Sequence, residues 1–232
     1  DAGAGYILRN LFMTLLEIDF QTLDLVPGLA QTRPVMEKDS SGNLLITYKL
    51  RPEAKWDNGQ PVTPQDVEFS LKVIKTPKVD NQQNKPYYEF INDIRFYADD
   101  PSKFTFICNK TYLLAEASSG DFAILPAYKY DPKGILKKYT VNQLNTQGDA
   151  LSSDAALIEF AAEFNSEKFQ REKEFVEGCG PYKLAEWTTG QRIVIERKKN
   201  WWGDALVDVS FRFQAFPDKI IYTTINDQTT AL

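Results

Sequence analysis

The spacing of apolar residues predicts a chain that mixes helices with strands. Apolar residues recur at helical spacing over 3–18, which predicts one amphipathic helix with its apolar face in the core. Alternation of apolar and polar residues predicts strands at 44–50, 94–96 and 104–108. The polar turn 99–102 joins the last two strands into a hairpin.

Helix start signals place three further elements. The tetrapeptide Thr-Pro-Gln-Asp at 63–66 predicts a helix start, because threonine caps free N–H groups and proline suits the first helical position. Its acidic residue also favours the positive end of the helix dipole. Thr140 opens a second capping motif, and residues 153–164 have helical apolar spacing.

The last third of the sequence reads mainly as strands. Two glycines and a proline at 178–181 predict a sharp turn into a β-hairpin over 182–197. Alternation predicts a further strand at 207–213, and the β-branched residues at 220–225 predict another. Asp227 then resembles the N-cap of a new helix. Because that helix would begin only a few residues before the sequence stops, we expect a piece of a longer protein.

Composition narrows the class of protein. The chain has 232 residues, 43% of them hydrophobic and 25% charged, and a net charge of −5. This length suits one large domain or two small ones with a substantial core. Lys and Arg are scattered, which argues against a nucleic-acid binder. No apolar run approaches the ~20 residues that span a bilayer. Asp1 is not a natural start, so we expect that an N-terminal segment has been removed.

The reactive side chains argue against catalysis. The chain has no histidine and two cysteines, which removes histidine-based nucleophilic pairs and zinc sites. Cys108 shares a predicted strand face with Phe104 and Phe106, so a buried, inert thiol is its default state. The sequence leaves open whether Cys108 and Cys179 form a disulfide. Aromatic residues make up 13% of the chain and suit non-covalent recognition better than chemistry.

Three stretches, in order along the chain, carry a family resemblance. Residues 25–30 read LVPGLA, and residues 48–71 read YKLRPEAKWDNGQPVTPQDVEFSL. Residues 178–203 contain GCGPYKLAEW, then GQRIVIER and NWWG. Together they resemble the signature blocks of the extracellular solute-binding proteins of family 5, the peptide- and nickel-binding receptors of ABC importers. Cys179 departs from the pattern, where the family usually has Ser or Thr.

The resemblance implies a fold and its division. It implies a mixed α/β chain that forms lobe I of a type II periplasmic-binding-protein fold and stops before the second lobe. Within lobe I, residues 35–175 are expected to form a subdomain inserted into one built from 1–34 and 176–232. Residues 128–177 look longer than in the shortest family members, which indicates a helical insertion.

The resemblance also implies a function. It implies an extracytoplasmic, non-enzymatic receptor that binds oligopeptides or dipeptides in a cleft between two lobes and delivers them to a membrane permease. A nickel chelate or an oligosaccharide is a less favoured ligand. No cofactor, metal or nucleic acid is expected, and a lipid anchor outside this sequence would be the link to the membrane. The alternative is a surface interaction or carbohydrate-binding module on the same scaffold, without a role in transport.

Eight residues are candidates for the cleft. The segment at the N-terminus, an aromatic loop and the stretch before the block Ile124-Leu125-Pro126 correspond to parts of the family that approach ligand. The candidates are Ala2, Gly3, Tyr87, Tyr88, Tyr112, Leu113, Ser118 and Gly120. Trp56 and Asp66 are expected to serve the core and the helix cap instead.

Overall fold

Antiparallel strands form three sheets. A computed structural model of the protein describes residues 2–109 and 112–224. The strands are β1 (Leu16–Ile18), β2 (Leu25–Pro27), β3 (Val35–Lys38), β4 (Leu44–Lys49), β5 (Ile91–Phe96), β6 (Lys103–Cys108), β7 (Tyr182–Thr188), β8 (Arg192–Arg197) and β9 (Lys219–Thr223). β1 pairs with β2, β7-β8-β9 form the second sheet, and the four-stranded sheet has the order β3-β4-β6-β5.

Helices cover these sheets and fill the long connection before β7. They are α1 (Ala2–Leu11), α2 (Pro64–Lys75), α3 (Ala115–Gly120), α4 (Ala127–Tyr130), α5 (Val141–Thr146), α6 (Gly148–Leu151), α7 (Ala155–Phe164) and α8 (Glu167–Arg171). Short 3₁₀ segments lie at Lys85–Tyr88, Leu136–Lys138, Trp202–Leu206 and Phe211–Phe213. No helix in the described part of the chain is both long and apolar enough to cross a membrane.

The four-stranded sheet confirms the strands predicted from alternation. β5 and β6 form the expected hairpin, and β4 lies on the other side of β6. Phe104, Phe106 and Cys108 on one face of β6 are fully buried. The ring of Tyr48 on β4 stacks on Phe104 at a centroid distance of 5.6 Å. These rings share one core cluster with Val67 and Leu71 of α2 and Ala115 of α3.

Asp66 confirms and extends the predicted start of α2. Thr63 and Asp66 form a capping box, in which each side chain accepts a bond from the other residue's backbone N–H. Asp66 Oδ2 also accepts a hydrogen bond from Trp56 Nε1 at 3.3 Å, and its Oδ1 accepts one from Ala127 N at 3.2 Å. Asp66 and Trp56 are both buried, so the second signature block has a structural explanation.

The predicted first helix is too long. α1 ends at Leu11, and the chain then turns into β1, which pairs with β2. The backbone near Leu15 accepts hydrogen bonds from Gly28 N at 2.9 Å and Ala30 N at 3.2 Å. Leu8 and Ile18, which the helix would bury, are 50% and 42% exposed. Pairing with the segment after β2 therefore overrides the helical periodicity.

The predicted strand at 207–213 is also wrong. The chain there forms the 3₁₀ turn Phe211–Phe213, and the Ser210 side chain caps it by accepting from Arg212 N. Phe213 is fully buried against the rings of Trp201 and Trp202, with centroids 6.0 and 5.7 Å away. Packing one phenylalanine against two indoles is incompatible with a regular alternating strand. The predicted strand end at Ile225 and the cap at Asp227 lie outside the described residues.

The glycines of the third signature block allow two segments to pass closely. Gly180 N donates to Leu11 O at 3.0 Å, just beyond the end of α1. A Cβ atom at Gly178 would lie 2.2 Å from Leu11 O, and one at Gly180 would lie 2.5 Å from Asn10 O. The block therefore joins the N-terminal helix to β7, and the hairpin of β7 and β8 forms as predicted.

The helices between β6 and β7 build a second core. The predicted capping box at Thr140 is confirmed and starts α5. α7 begins slightly later than predicted, with Asp154 as its N-cap. Ile158 was expected on its buried face but is 44% exposed, whereas Phe160 is buried. The proposed division at residues 34–35 and 175–176 stays a prediction.

Candidate ligand-binding site

The predicted aromatic loop packs against the end of α3. Tyr88, at the end of the 3₁₀ segment, donates its hydroxyl hydrogen to Asp121 Oδ1 at 2.8 Å. The Tyr88 ring meets Phe122 edge to face at a centroid distance of 5.5 Å. Burial raises the pKa of the Tyr88 hydroxyl, and the charge of Asp121 raises it further. Tyr88 therefore stays neutral and holds the carboxylate in place.

Asp121 carries the negative charge of this surface. Asp121 is exposed. The surrounding protein nevertheless displaces enough water to raise the pKa of its carboxyl group. The hydrogen bond from Tyr88 and the positive charge of Arg9 on α1 oppose that rise. No described cation lies within ion-pair distance of Asp121. An approaching cation would therefore relieve a poorly compensated charge.

Lys75 holds the aromatic loop from behind. It is the last residue of α2 and is fully buried. Its Nζ donates to Tyr88 O and to Asn145 Oδ1, both at 2.7 Å. Asn145 in turn donates through Nδ2 to Glu89 O at 2.9 Å. Burial lowers the pKa of Lys75 to about 7, and the charge of Glu89 limits that fall.

Exposed apolar side chains lie on the segment before α3 and on the aromatic loop. Leu113 is 96% exposed, Leu114 is 54% exposed and Tyr87 is 59% exposed. Tyr112 is half-buried and packs on Phe90 with ring centroids 5.1 Å apart. Exposed apolar side chains on both segments, together with an oriented carboxylate at the end of α3, suit a recognition surface.

The remaining predicted residues have other surroundings. Ser118 and Gly120 in α3 are buried, and a Cβ at Gly120 would lie 2.6 Å from Leu16 Cγ. Close packing of α3 on β1 accounts for both residues. Ala2 and Gly3 lie in the first turn of α1, and their contacts are outside what the structure describes. The structure thus brings together Tyr88 and the end of α3, with Tyr112 beside them.

Sequence reasoning missed Asp121 and Lys75. Asp121 follows directly after the small residues at 117–120, and a charge at the end of that run was the available signal. Lys75 had no signal, because nothing in the sequence distinguishes it from the solvated lysines of an ordinary helix. Its burial depends on contacts with segments that lie far away along the chain.

Metal chemistry has no support in the described residues. They contain no group of three or more Cys, Asp and Glu side chains that could hold a metal ion. Cys108 and Cys179 are free and buried, not bonded to each other. Burial raises the pKa of each thiol to about 12, so both stay protonated at neutral pH.

Comparison with known proteins gives the family of the chain. The profile of the bacterial extracellular solute-binding proteins, family 5 Middle, matches residues 24–232. The chain belongs to this family. Its fold is the mixed α/β fold of the corresponding part of these two-lobed proteins, whose known members are receptors for solutes and not enzymes.

Relatives and solved structures agree with this assignment. The uncharacterised protein y4wM of Sinorhizobium fredii is 28% identical over 95% of the chain, and the probable peptide-binding protein YejA of Agrobacterium fabrum is 28% identical over 78%. The oligopeptide-binding protein of Thermus thermophilus with a pentapeptide matches 99% of the chain with a TM-score of 0.65 and 20% identity. The mannohexaose-bound periplasmic oligopeptide-binding protein of Thermotoga maritima matches 95% with a TM-score of 0.62 and 19% identity.

The chain is shorter than all of these proteins. It spans 28% of the S. fredii protein and 24% of the A. fabrum protein. It spans 38% and 33% of the chains in the two solved structures.

Proposed function

We propose that the whole protein is an extracytoplasmic receptor that binds oligopeptides or dipeptides and delivers them to an ABC-type permease. The observation that carries this proposal is the Asp121 carboxylate, which accepts a hydrogen bond from Tyr88 of the aromatic loop, next in sequence to the exposed Tyr87. In such a surface, the carboxylate attracts an ammonium group and the apolar side chains cover the hydrocarbon parts of a peptide. The family and the name of the A. fabrum relative support the same ligand class.

The two-lobe arrangement completes the mechanism. The chain supplies one wall of the cleft, and a second lobe closes over the bound ligand by hinge motion. Closure removes water from the ligand, and this strengthens the contact between its ammonium group and Asp121. The permease then recognises the closed form.

Two surface variants of the full-length protein test the peptide site. Leu113→Ser and Asp121→Asn should each weaken the binding of pentaalanine about tenfold or more in calorimetric titration, which corresponds to ~1.4 kcal/mol. Leu113 is 96% exposed, so its replacement leaves the core intact. Leu23→Ser and Asp99→Asn change exposed side chains elsewhere and should leave affinity unchanged. Equal affinities in all four variants would show that the peptide site lies elsewhere on the protein.

A second candidate ligand is an oligosaccharide. The mannohexaose complex of the similar Thermotoga protein favours it, as do the aromatic side chains Tyr87, Tyr88 and Tyr112. Titration of the full-length protein with mannohexaose separates the two ligands. Binding of mannohexaose without binding of pentaalanine would replace the peptide proposal. A full-length protein that binds either one while no permease recognises it would favour the interaction module without transport.

A further inference from the structure

A cavity lies apart from the candidate peptide site. It has a volume of about 720 Å³ and lies between segment 53–59 and segment 196–202, beside β7. None of the eight residues proposed for the peptide cleft lines it. Its volume falls within the range of ~300–1,000 Å³ that small-ligand sites occupy.

Tryptophan rings form the apolar part of its wall. Three of the four tryptophans of the chain line it, namely Trp56, Trp201 and Trp202. Trp201 and Trp202 both donate their Nε1 hydrogens to Cys179 O, at 2.8 and 2.9 Å. Trp56 donates to Asp66. Because protein acceptors take up all three indole N–H groups, the rings are fixed and offer the cavity only apolar surface, most of it from the half-buried Trp202.

The rim of the cavity is positive although the chain is negative. Five cationic and three acidic residues line it, in a chain with a net charge of −5. The acidic residues are Glu53, Asp57 and Glu196. Asp57 pairs with Lys198 at 2.6 Å, and Glu196 pairs with Lys219 at 3.1 Å.

Three lysines of the lining form no ion pair among the described residues, although Lys183 lies opposite Glu196 in the register of β7 and β8. Lys55, Lys183 and Lys199 are exposed, and none has a carboxylate within 4.0 Å among the described residues. Arg197 pairs with Asp204 through Nη2 at 2.8 Å, but its buried Nε has no acceptor in the described part of the chain. The cavity therefore presents free cationic donors above a fixed aromatic wall.

We propose that this cavity is a second ligand site, which binds a small ring compound that carries a carboxylate or phosphate group. The ammonium groups of Lys55, Lys183 and Lys199 bind the anionic group by charge and hydrogen bonding. The ring lies against the exposed part of Trp202, where its apolar edges displace water. Sugar acids and sugar phosphates have this chemistry. Because the lysines are exposed, binding is weak at high ionic strength.

The indole N–H signals in a proton–nitrogen correlation spectrum report directly on the cavity. Titration with glucuronate or glucose 6-phosphate should shift the Trp202 signal most, and Trp56 and Trp201 less. Trp187 lies outside the cavity and is 37% exposed, so its signal should stay unchanged as an internal control. A response to one of the two compounds alone would identify the preferred anion. No response to either, or an equal response to neutral glucose, would overturn the proposal.

Matched lysine variants separate a site from general attraction of anions. The triple variant Lys55→Gln, Lys183→Gln, Lys199→Gln should weaken binding at least tenfold. The control Lys38→Gln, Lys137→Gln, Lys138→Gln changes three exposed lysines elsewhere and makes the same change in net charge. It should leave binding within about twofold of the original protein. Equal weakening in both triple variants would show non-specific attraction and contradict the proposed site. Coincident indole spectra without ligand verify that the variants are folded.

Discussion

At the scale of single residues, a few buried polar side chains hold distant segments in place. Asp66 accepts hydrogen bonds from Trp56 and Ala127 as well as from the cap residue of its own helix. Lys75 connects the end of α2 to the carbonyl of Tyr88. Local cap chemistry made Thr63 and Asp66 predictable from sequence, because both partners lie within four residues. The hydrogen-bond partners of Lys75 lie much farther away along the chain, so only the folded structure could reveal its role.

Thr63→Ala should destabilise the protein by ~1 kcal/mol, as expected for the loss of an N-cap. The variant removes the acceptor for Asp66 N and the Thr63 hydroxyl that donates to Asp66 Oδ2 at 2.8 Å. Denaturant unfolding measures the change as a lower midpoint with an unchanged slope. Peptide affinity should stay constant, because Thr63 lies outside the surface around Asp121. An unchanged midpoint would show that the capping box contributes nothing to stability.

Lys75 should make stability depend on pH above neutrality. Its pKa is about 7 in the folded protein and near 10.5 in the unfolded chain. Between these values the unfolded state binds more protons, so the free energy of unfolding contributed by Lys75 rises with pH and levels off above 10.5. Replacing lysine with methionine removes this rise.

The comparison of wild type with Lys75→Met isolates that effect. Both proteins keep the same tyrosines and cysteines, so titrations distant from Lys75 cancel in the difference, whereas Cys108, Lys85 and Glu89 interact with its charge. The difference in unfolding free energy, wild type minus variant, should increase between pH 7 and pH 10. Guanidinium titrations at several pH values measure it. A difference that does not change with pH would mean that Lys75 keeps an ordinary pKa when folded.

At the scale of secondary-structure elements, the accuracy of prediction depended on whether neighbours were near in sequence. The hairpins of β5 with β6 and of β7 with β8 are local, and their alternation was sufficient to predict them. The helical reading of 3–18 failed because β1 pairs with β2 and the segment beyond it. The strand reading of 207–213 failed because Phe213 packs onto two indoles. In both cases a tertiary contact overrode a genuine local pattern.

Gly180→Ala tests the close passage between α1 and the third signature block. The added methyl group would lie 2.5 Å from Asn10 O and 2.8 Å from Leu11 O, both backbone atoms that cannot rotate away. We expect destabilisation of about 1–3 kcal/mol, as for overpacking in a core. Gly5→Ala is the matched control, because a Cβ at Gly5 meets no atom within 4 Å. It should stabilise α1 by about 0.5–1 kcal/mol.

Thermal unfolding followed by circular dichroism measures both glycine variants. The two midpoints should move in opposite directions. A midpoint for Gly180→Ala at or above that of the wild type would show that the two segments separate readily. The junction between α1 and β7 would then be a weak contact instead of a fixed one.

At the scale of the whole molecule, the two candidate surfaces differ in charge. The surface around Asp121 is negative with apolar neighbours, and the cavity at Trp202 is positive. Sequence resemblance gave the family, and it predicted a cleft near Tyr88 and the stretch before Pro126, which stays a prediction. It gave no hint of the cavity at Trp202, because its lysines and tryptophans come from three separate stretches that only folding brings together.

Separation of this chain from the rest of the protein should weaken peptide binding at least a hundredfold while leaving the chain folded. The chain keeps its own buried cores, helix caps and sheets, so it does not need the second lobe to bury its apolar residues. The ligand does need that lobe, because a closed cleft covers most of its surface and one wall leaves half of it in water. The loss of ~2.7 kcal/mol of contacts is sufficient for a hundredfold change. Calorimetric titration of the 232-residue chain and of the full-length protein with the same pentaalanine measures the ratio. Equal affinities would show that the surface around Asp121 contains the complete site, and the mechanism of closure between two lobes would then have to be abandoned.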